Sequence, residues 1–246
     1  MRIEEDQEII CGFNIIETVL NSRPKSAKAL FVLDSKSNSR IKNMSSKAQS
    51  SGVKVSLKDK DFFSIYCQDH NHQGLALLCN KRKAEDESLL EELLKKDSLL
   101  FLILDHVTDP QNVGACLRSA AAANVDAVIV PKNRSCHLTP TVRKISSGGS
   151  ELIPFVIVTN LVRTLKKMKL TGVEIIGTEK SASENYKDIC LDKKNALVIG
   201  SENKGLRKLT AENCDRLIRI DMPGPMESLN ASVACGILLF EFIRKF

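Results

Sequence analysis

Six short aliphatic runs recur through the second half of this chain, and nothing else in the sequence restricts its fold so strongly. They read LLFLILD (99–105), DAVIVP (126–131), IPFVIV (153–158), VEIIGT (173–178), a run over 195–199 and onward, and RLIRI (216–220). Stretches long enough for a helix separate most of them: one from Pro110, others near 140–147, 160–169 and 206–213, and a last apolar helix from about Leu229 to Lys245. Strands that are apolar at every position must be covered on both faces, which is the signature of a parallel sheet sandwiched by helices. The predicted class is therefore α/β. At six residues, LLFLIL is far too short to cross a membrane.

Residues 81–98, KRKAEDESLLEELLKKDS, interrupt this pattern with crowded charge. Leu89, Leu90, Leu93 and Leu94 repeat at helical spacing, and Glu91 with Lys95 and Glu92 with Lys96 form favourable i,i+4 pairs. The stretch reads as a linker carrying a short amphipathic helix. Before it, an apolar helix-like run (13–20), a strand (29–33), a helical stretch (40–50) and strands at 53–57 and 74–79 predict a small α/β domain over 1–80. Its charge is nearly balanced, 11 Lys and Arg against 9 Asp and Glu, whereas 99–246 holds 20 against 15. A net charge of +6 is compatible with nucleic-acid binding without demanding it.

The eight cysteines are scattered with no C-x-x-C pair, so neither a zinc knuckle nor a redox motif is predicted, and a reducing cytoplasm is the natural setting. MRIEEDQEII lacks the apolar region of a signal peptide. The four histidines, His70, His72, His106 and His137, lack ligand-like spacing, and no metal is expected.

Parallel sheets bind ligands beyond the carboxyl ends of their strands, which directs attention to three loops. After 99–105, Asp109 is a candidate N-cap with Pro110 at the first helical position, followed by Asn112, Gly114 and, two turns along a helix of small residues, Arg118. Such an arginine is either a solvent-facing residue on a tightly packed helix or a bidentate contact for phosphate. After Ile199, Gly200 and Gly205 bracket the polar Ser201, Glu202 and Asn203. That arrangement suits either a ligand cradle or a capped β–α turn, and it fits neither a P-loop nor a dinucleotide fingerprint. After Ile220, Pro223, Gly224 and Pro225 enforce an irregular loop, Ser228 is the predicted cap of the last helix, and Asn230 and Ser232 fall in its first turn. Beyond Ser232 that helix is apolar on nearly every face, which calls for a core or a subunit interface.

Taken in order, NVGACLR (112–118), IGSENKGL (199–206) and IDMPGPMESLNASVA (220–234) resemble the three motifs of the SpoU (TrmH) family of RNA 2′-O-ribose methyltransferases. CGFNIIETVL (11–20) and HQG (72–74) resemble that family's N-terminal RNA-binding extension, in the branch that methylates a guanosine ribose of 23S ribosomal RNA. The resemblance implies a deep trefoil knot in 99–246 and S-adenosylmethionine held around Thr178, Gly200, Ile220 and Leu229. It also implies a homodimer formed through the last helix, and RNA as partner, either 23S ribosomal RNA or an assembling large subunit. Arg118 would act on the ribose hydroxyl, as general base or, being protonated at neutral pH, by stabilising the developing oxyanion and an adjacent phosphate. Glu202, Ser228 and Asn230 would orient the hydroxyl and Arg118, and Asn112 would shape the pocket. With no Trp and two Tyr in the chain, phosphate contact and RNA shape are expected to outweigh base stacking. Two other readings stay open: a transfer-RNA enzyme of the same family, and a catalytically silent RNA-binding module.

Overall fold

A computed structural model describes residues 3–35, 38–67, 72–202 and 204–245. Asn203 and His70, singled out above, lie outside them. The chain divides into two compact units, Met1–Lys83 and Ala84–Phe246.

The first unit is a four-stranded mixed sheet in the order β1 (Gln7–Cys11), β4 (Leu75–Asn80), β2 (Ala27–Leu33), β3 (Lys54–Lys58). β4 runs antiparallel to both neighbours and β2 pairs parallel with β3. Helices α1 (Phe13–Ser22), α2 (Ser39–Ser50) and α3 (Lys60–Tyr66) complete it. The faces of α1 and α2 that carry Ile16, Val19, Met44 and Ala48 close one core with Leu30, Leu75 and Leu77. On the other side, Phe31, Phe62 and Phe63 form a smaller aromatic core. β1 and α3 were not expected. β1 is an edge strand of five residues, mostly half-buried, so its apolar signal is weak. α3 spans only seven residues and is set by Asp59, whose carboxylate accepts from the Phe62 amide at 2.9 Å.

The second unit bears out the parallel α/β expectation. Its strands β5 (Leu99–Asp105), β6 (Ala127–Pro131), β7 (Phe155–Val158), β8 (Glu174–Thr178), β9 (Glu184–Asn185), β10 (Lys194–Gly200) and β11 (Arg216–Arg219) form one sheet in the order β7-β6-β5-β10-β8-β11-β9. Every pairing is parallel. The fully buried β5 runs in register with β10, from Leu99 opposite Lys194 to Asp105 opposite Gly200. One face carries the core of Leu102, Leu104, Leu197 and Ile199 under α5 (Pro110–Ala122) and α10 (Ala231–Lys245). The other carries Phe101, Ile103, Ala196 and Val198 under α4 (Ser88–Leu93) and α8 (Leu161–Leu170). Burying side chains of this size stabilises by roughly 1.5–3 kcal/mol each, which is why uniformly aliphatic strands end up between two helical layers. Short helices α6 (Pro140–Ile145), α7 (Gly149–Leu152) and α9 (Lys208–Ala211) complete the unit.

The charged stretch 81–98 is not a free spacer. Glu85 bridges to Val156 beside β7, Leu90 and Leu94 are buried in the second unit's core, and Glu87 accepts from the Thr159 amide at 2.6 Å. From residue 84 onward it is a structural part of the second unit, because its leucines have a hydrophobic face to cover. No helix among the described residues is long and apolar enough to cross a membrane.

Candidate active site

The carboxyl ends of β8, β10 and β11 open into a cavity of about 510 Å³. Thr178, Gly200, Ile220 and Leu229, the four residues expected around a cofactor, all line it. Gly200 could be no other residue. A β-carbon there would fall 2.2 Å from the carbonyl carbon of Gly205 and 2.4 Å from the Leu206 nitrogen, so the chain folds back on itself only without a side chain. The return is tied by Ser201 and Gly205, each amide donating to the other's carbonyl at 3.1 and 2.8 Å, with Gly205 left-handed at φ 62°. Asp105, fully buried at the end of the neighbouring β5, accepts from the Arg207 amide at 2.9 Å and pins the far side of this loop. Ile199, Ile218 and Leu238 supply an apolar floor.

Beside the cavity, three polar residues far apart in sequence meet, Asn112 from the first turn of α5 and Glu202 and Asn230 from loops. Asn112 Nδ2 donates to Glu202 Oε1 at 3.1 Å, Asn230 Nδ2 donates to Asn112 Oδ1 at 2.8 Å and also to Glu202, and the Ala231 backbone amide donates to Glu202 Oε1 at 3.0 Å. Glu202 thereby sits at the amino terminus of α10, where amides and helix dipole favour a carboxylate. α5 enters as expected, with Asp109 accepting from the Gln111 and Asn112 amides at 3.1 and 3.3 Å.

The start of α10 differs from expectation. The helix begins at Ala231, and Asn230 is its cap, accepting from the amides of Ser232 and Val233 at 3.0 and 3.4 Å. Ser228 lies exposed in the preceding loop on the cavity wall. Ser and Asn cap equally well, and the choice falls to the residue just before the apolar run that must be buried.

Arg118 stands apart from this cluster. Exposed on α5, it makes no hydrogen bond or ion pair among the described residues and does not line the cavity. Its backbone is nonetheless held closely. A β-carbon at Gly149 would lie 3.1 Å from the Arg118 α-carbon and 2.8 Å from the Leu117 carbonyl, and one at Gly114 would lie 2.6 Å from Ile145 Cβ. The α6–α7 segment that makes these approaches is braced by a buried ion pair, Arg143 Nε to Glu151 Oε1 at 3.1 Å.

Burial pushes the Cys214 thiol, packed against Gly177, up to about 12. Between α5 and α10, the contact with Cys116, with burial second, pushes Cys235 far above the ordinary thiol range. Both act as small hydrophobes. Among the described residues no group of three or more His, Cys, Asp or Glu is placed to hold a metal ion.

Sequence reasoning missed the polar rim of the cavity: Glu179, Lys180, Asp221 and Glu227. Lys180 pairs with Glu227 at 3.3 Å, and Arg219 Nε pairs with Asp221 at 2.8 Å. Glu179 and Lys180 directly follow β8, whereas Asp221 and Glu227 fall within the third motif, 220–234.

Comparison with known proteins agrees with this geometry. Residues 99–240 match the SpoU rRNA Methylase family, and residues 9–84 match the family described as RNA 2′-O ribose methyltransferase substrate binding. The 23S rRNA (guanosine-2′-O-)-methyltransferase RlmB of Coxiella burnetii is 43% identical over 238 residues, covering 96% of this chain and 95% of that protein. Its Escherichia coli K12 counterpart is 38% identical over 239 residues, covering 97% and 98%. Among solved structures, the SpoU methyltransferase AviRb from Streptomyces viridochromogenes, in complex with AdoMet, superposes with a TM-score of 0.77 at 20% identity, covering 98% of this chain and 90% of that one, a likeness of fold. The A. aeolicus TrmH/SpoU tRNA modifying enzyme covers 65% of this chain and 83% of its own, at 28% identity and a TM-score of 0.56.

Proposed function

The chain belongs to the SpoU rRNA methylase family, and from that premise we propose that it transfers a methyl group from S-adenosylmethionine to the 2′-hydroxyl of a guanosine ribose in 23S ribosomal RNA. The observation that carries this reading is the pairing of a glycine-bounded, isoleucine-floored cavity with the adjoining Asn112–Glu202–Asn230 cluster. Relatives named for this reaction share about two fifths of their sequence with it over nearly the whole chain.

S-adenosylmethionine fits the cavity. Ile199, Ile218 and Leu238 match an adenine face, and the backbone around Gly200, Ile220 and Leu229 offers amides and carbonyls for its edge. A Gly-rich phosphate cradle is not required, because this cofactor carries no pyrophosphate. When bound, it supplies an electrophilic methyl on a positively charged sulfur, which leaves as a neutral thioether. The protein's task is to present the ribose hydroxyl and to stabilise the charge on its oxygen as the O–CH3 bond forms and the proton passes to water. Arg118 stabilises the oxyanion as it develops and binds the neighbouring phosphate, for which its planar, always-charged guanidinium is suited. Glu202 is fixed by Asn112, Asn230 and the Ala231 amide and helps set the orientation of the acceptor, with Ser228 exposed on the same wall.

The homodimer belongs to the same reading. α10 buries Cys235, Leu238, Leu239 and Phe242 but leaves Val233, Ile237, Phe240 and Ile243 between 36% and 54% exposed, a stripe that a second copy would cover. Arg118 is held on α5, which packs against α10, and its side chain has no partner among the described residues, consistent with work at or across that interface. The deep knot is part of the proposal too, supported by the insertion of β10 between β5 and the earlier β8. Residues 1–80 act as the RNA substrate-binding domain and 99–246 as the catalytic domain, in the cytoplasm where ribosomal RNA is made.

Radiolabelled S-adenosylmethionine, unmodified 23S ribosomal RNA and bulk transfer RNA test the reading directly. The expected result is label at one ribose of the 23S RNA, resistant to alkaline cleavage at that linkage. Label only in transfer RNA would overturn the substrate, and no label in either RNA despite bound cofactor would point to an assembling ribosomal particle as substrate or to the silent module.

A further inference from the structure

The polar rim of the cavity contains a carboxylate with no side-chain partner among the described residues. Of the four acidic side chains on the wall, three are engaged: Glu202 by Asn112, Asn230 and Ala231, Asp221 by Arg219, and Glu227 by Lys180. The fourth, Glu179, makes no side-chain hydrogen bond or ion pair among the described residues, although it is half-buried. Its main chain is fixed. The Glu179 amide donates to the Ile218 carbonyl at 2.9 Å, and its carbonyl accepts from the Ala182 amide at 3.2 Å. Its Oε2 lies 3.9 Å from where a β-carbon of Gly205 would stand, so the carboxylate faces the loop that Gly200 and Gly205 define.

A partly desolvated carboxylate held beside a cavity is costly unless the ligand brings a cation. The cofactor of the proposed reaction carries two, a sulfonium and the α-ammonium of its methionyl end. An ammonium has three N–H donors for a carboxylate, whereas a sulfonium has none. The sulfonium must also face the ribose hydroxyl, beside the Asn112–Glu202–Asn230 cluster rather than the rim. Resting on the cofactor assignment made above, we propose that Glu179 binds the α-ammonium group of S-adenosylmethionine and fixes its methionyl end. Glu179 stands outside all three sequence motifs, so it sets cofactor affinity without belonging to the acceptor chemistry.

Titration calorimetry of the full chain and its Glu179→Gln variant, with S-adenosylmethionine, S-adenosylhomocysteine and methylthioadenosine, tests this. Methylthioadenosine keeps the nucleoside and thioether but lacks the amino-acid end. The expected result is a Kd raised about tenfold or more for the first two ligands, in line with loss of a charge-assisted hydrogen bond, and unchanged for methylthioadenosine. An unaltered melting temperature for the variant shows that the fold is intact. Equal weakening for all three ligands would assign Glu179 to the ribose and overturn the proposal. So would weakening confined to S-adenosylmethionine, which would assign it to the sulfonium, or unchanged affinity throughout. Failure of the unsubstituted protein to bind any of the three would instead strike the cofactor assignment itself.

Discussion

The proposed cofactor cavity and the surface around Arg118 lie in the same unit, yet they are built in opposite ways. The cavity is built from strand ends, a glycine hairpin pinned by Asp105, and a floor of Ile199, Ile218 and Leu238. Arg118 projects from a helix whose backbone is closely packed by Gly149 and Ile145, and its guanidinium makes no hydrogen bond or ion pair among the described residues. The difference teaches where each half finds its partner. A small, constant ligand can be met by fixed backbone, while a large polyanion, or a second subunit, must supply what the arginine lacks.

The contrast is broken most severely at Gly200. Gly200→Ala places a methyl group 2.2 Å from the Gly205 carbonyl carbon, far inside van der Waals contact, and cofactor binding measured by calorimetry is expected to disappear while the first unit stays folded. On the other side, Ile237→Glu on the exposed stripe of α10 should convert a dimer to a monomer in sedimentation analysis, with methyl transfer falling further than cofactor affinity. Asn230→Ala touches both halves. It removes the cap of α10, costing about 1 kcal/mol of stability, and frees Glu202 from one of its donors, so melting temperature and transfer rate should both fall modestly.

The smallest effect lies at Glu87. The Thr159 amide, first among its contacts, holds this carboxyl below the usual range. A carboxylate whose folded value lies below its unfolded value stabilises above the unfolded value, about 4.3, and that contribution fades as pH falls through the folded one. Glu87→Gln should therefore flatten the acid side of the stability curve slightly and leave neutral-pH transfer unchanged.

Much of the cavity was legible in the sequence for a physical reason. Tight loops at strand ends demand glycine and proline, and Gly200, Gly205 and the Pro223–Pro225 segment announce themselves. The parallel sheet was equally legible, because a doubly covered strand must be aliphatic throughout. The meeting of Asn112 with Glu202 and Asn230 was expected only through resemblance to a family, since contacts across 90 and 118 positions have no local signal. Glu179 had no signal at all, because a glutamate after a strand is ordinary until its neighbours are seen to be paired. Capping misled for a related reason: Ser228 and Asn230 are chemically equivalent candidates, and the burial of Ala231 and Cys235 decides between them. The charged stretch 81–98 was read by its surface, while its two buried leucines determine where it belongs.

The measurement that bears most directly on the division between the two halves pairs cofactor titration with methyl transfer to 23S ribosomal RNA on one preparation of Arg118→Ala. The expected result is an unchanged Kd for S-adenosylmethionine with transfer reduced roughly 100- to 1000-fold, the range for loss of one oxyanion-stabilising group. Transfer at the unsubstituted rate, or loss of cofactor binding in step with transfer, would contradict it.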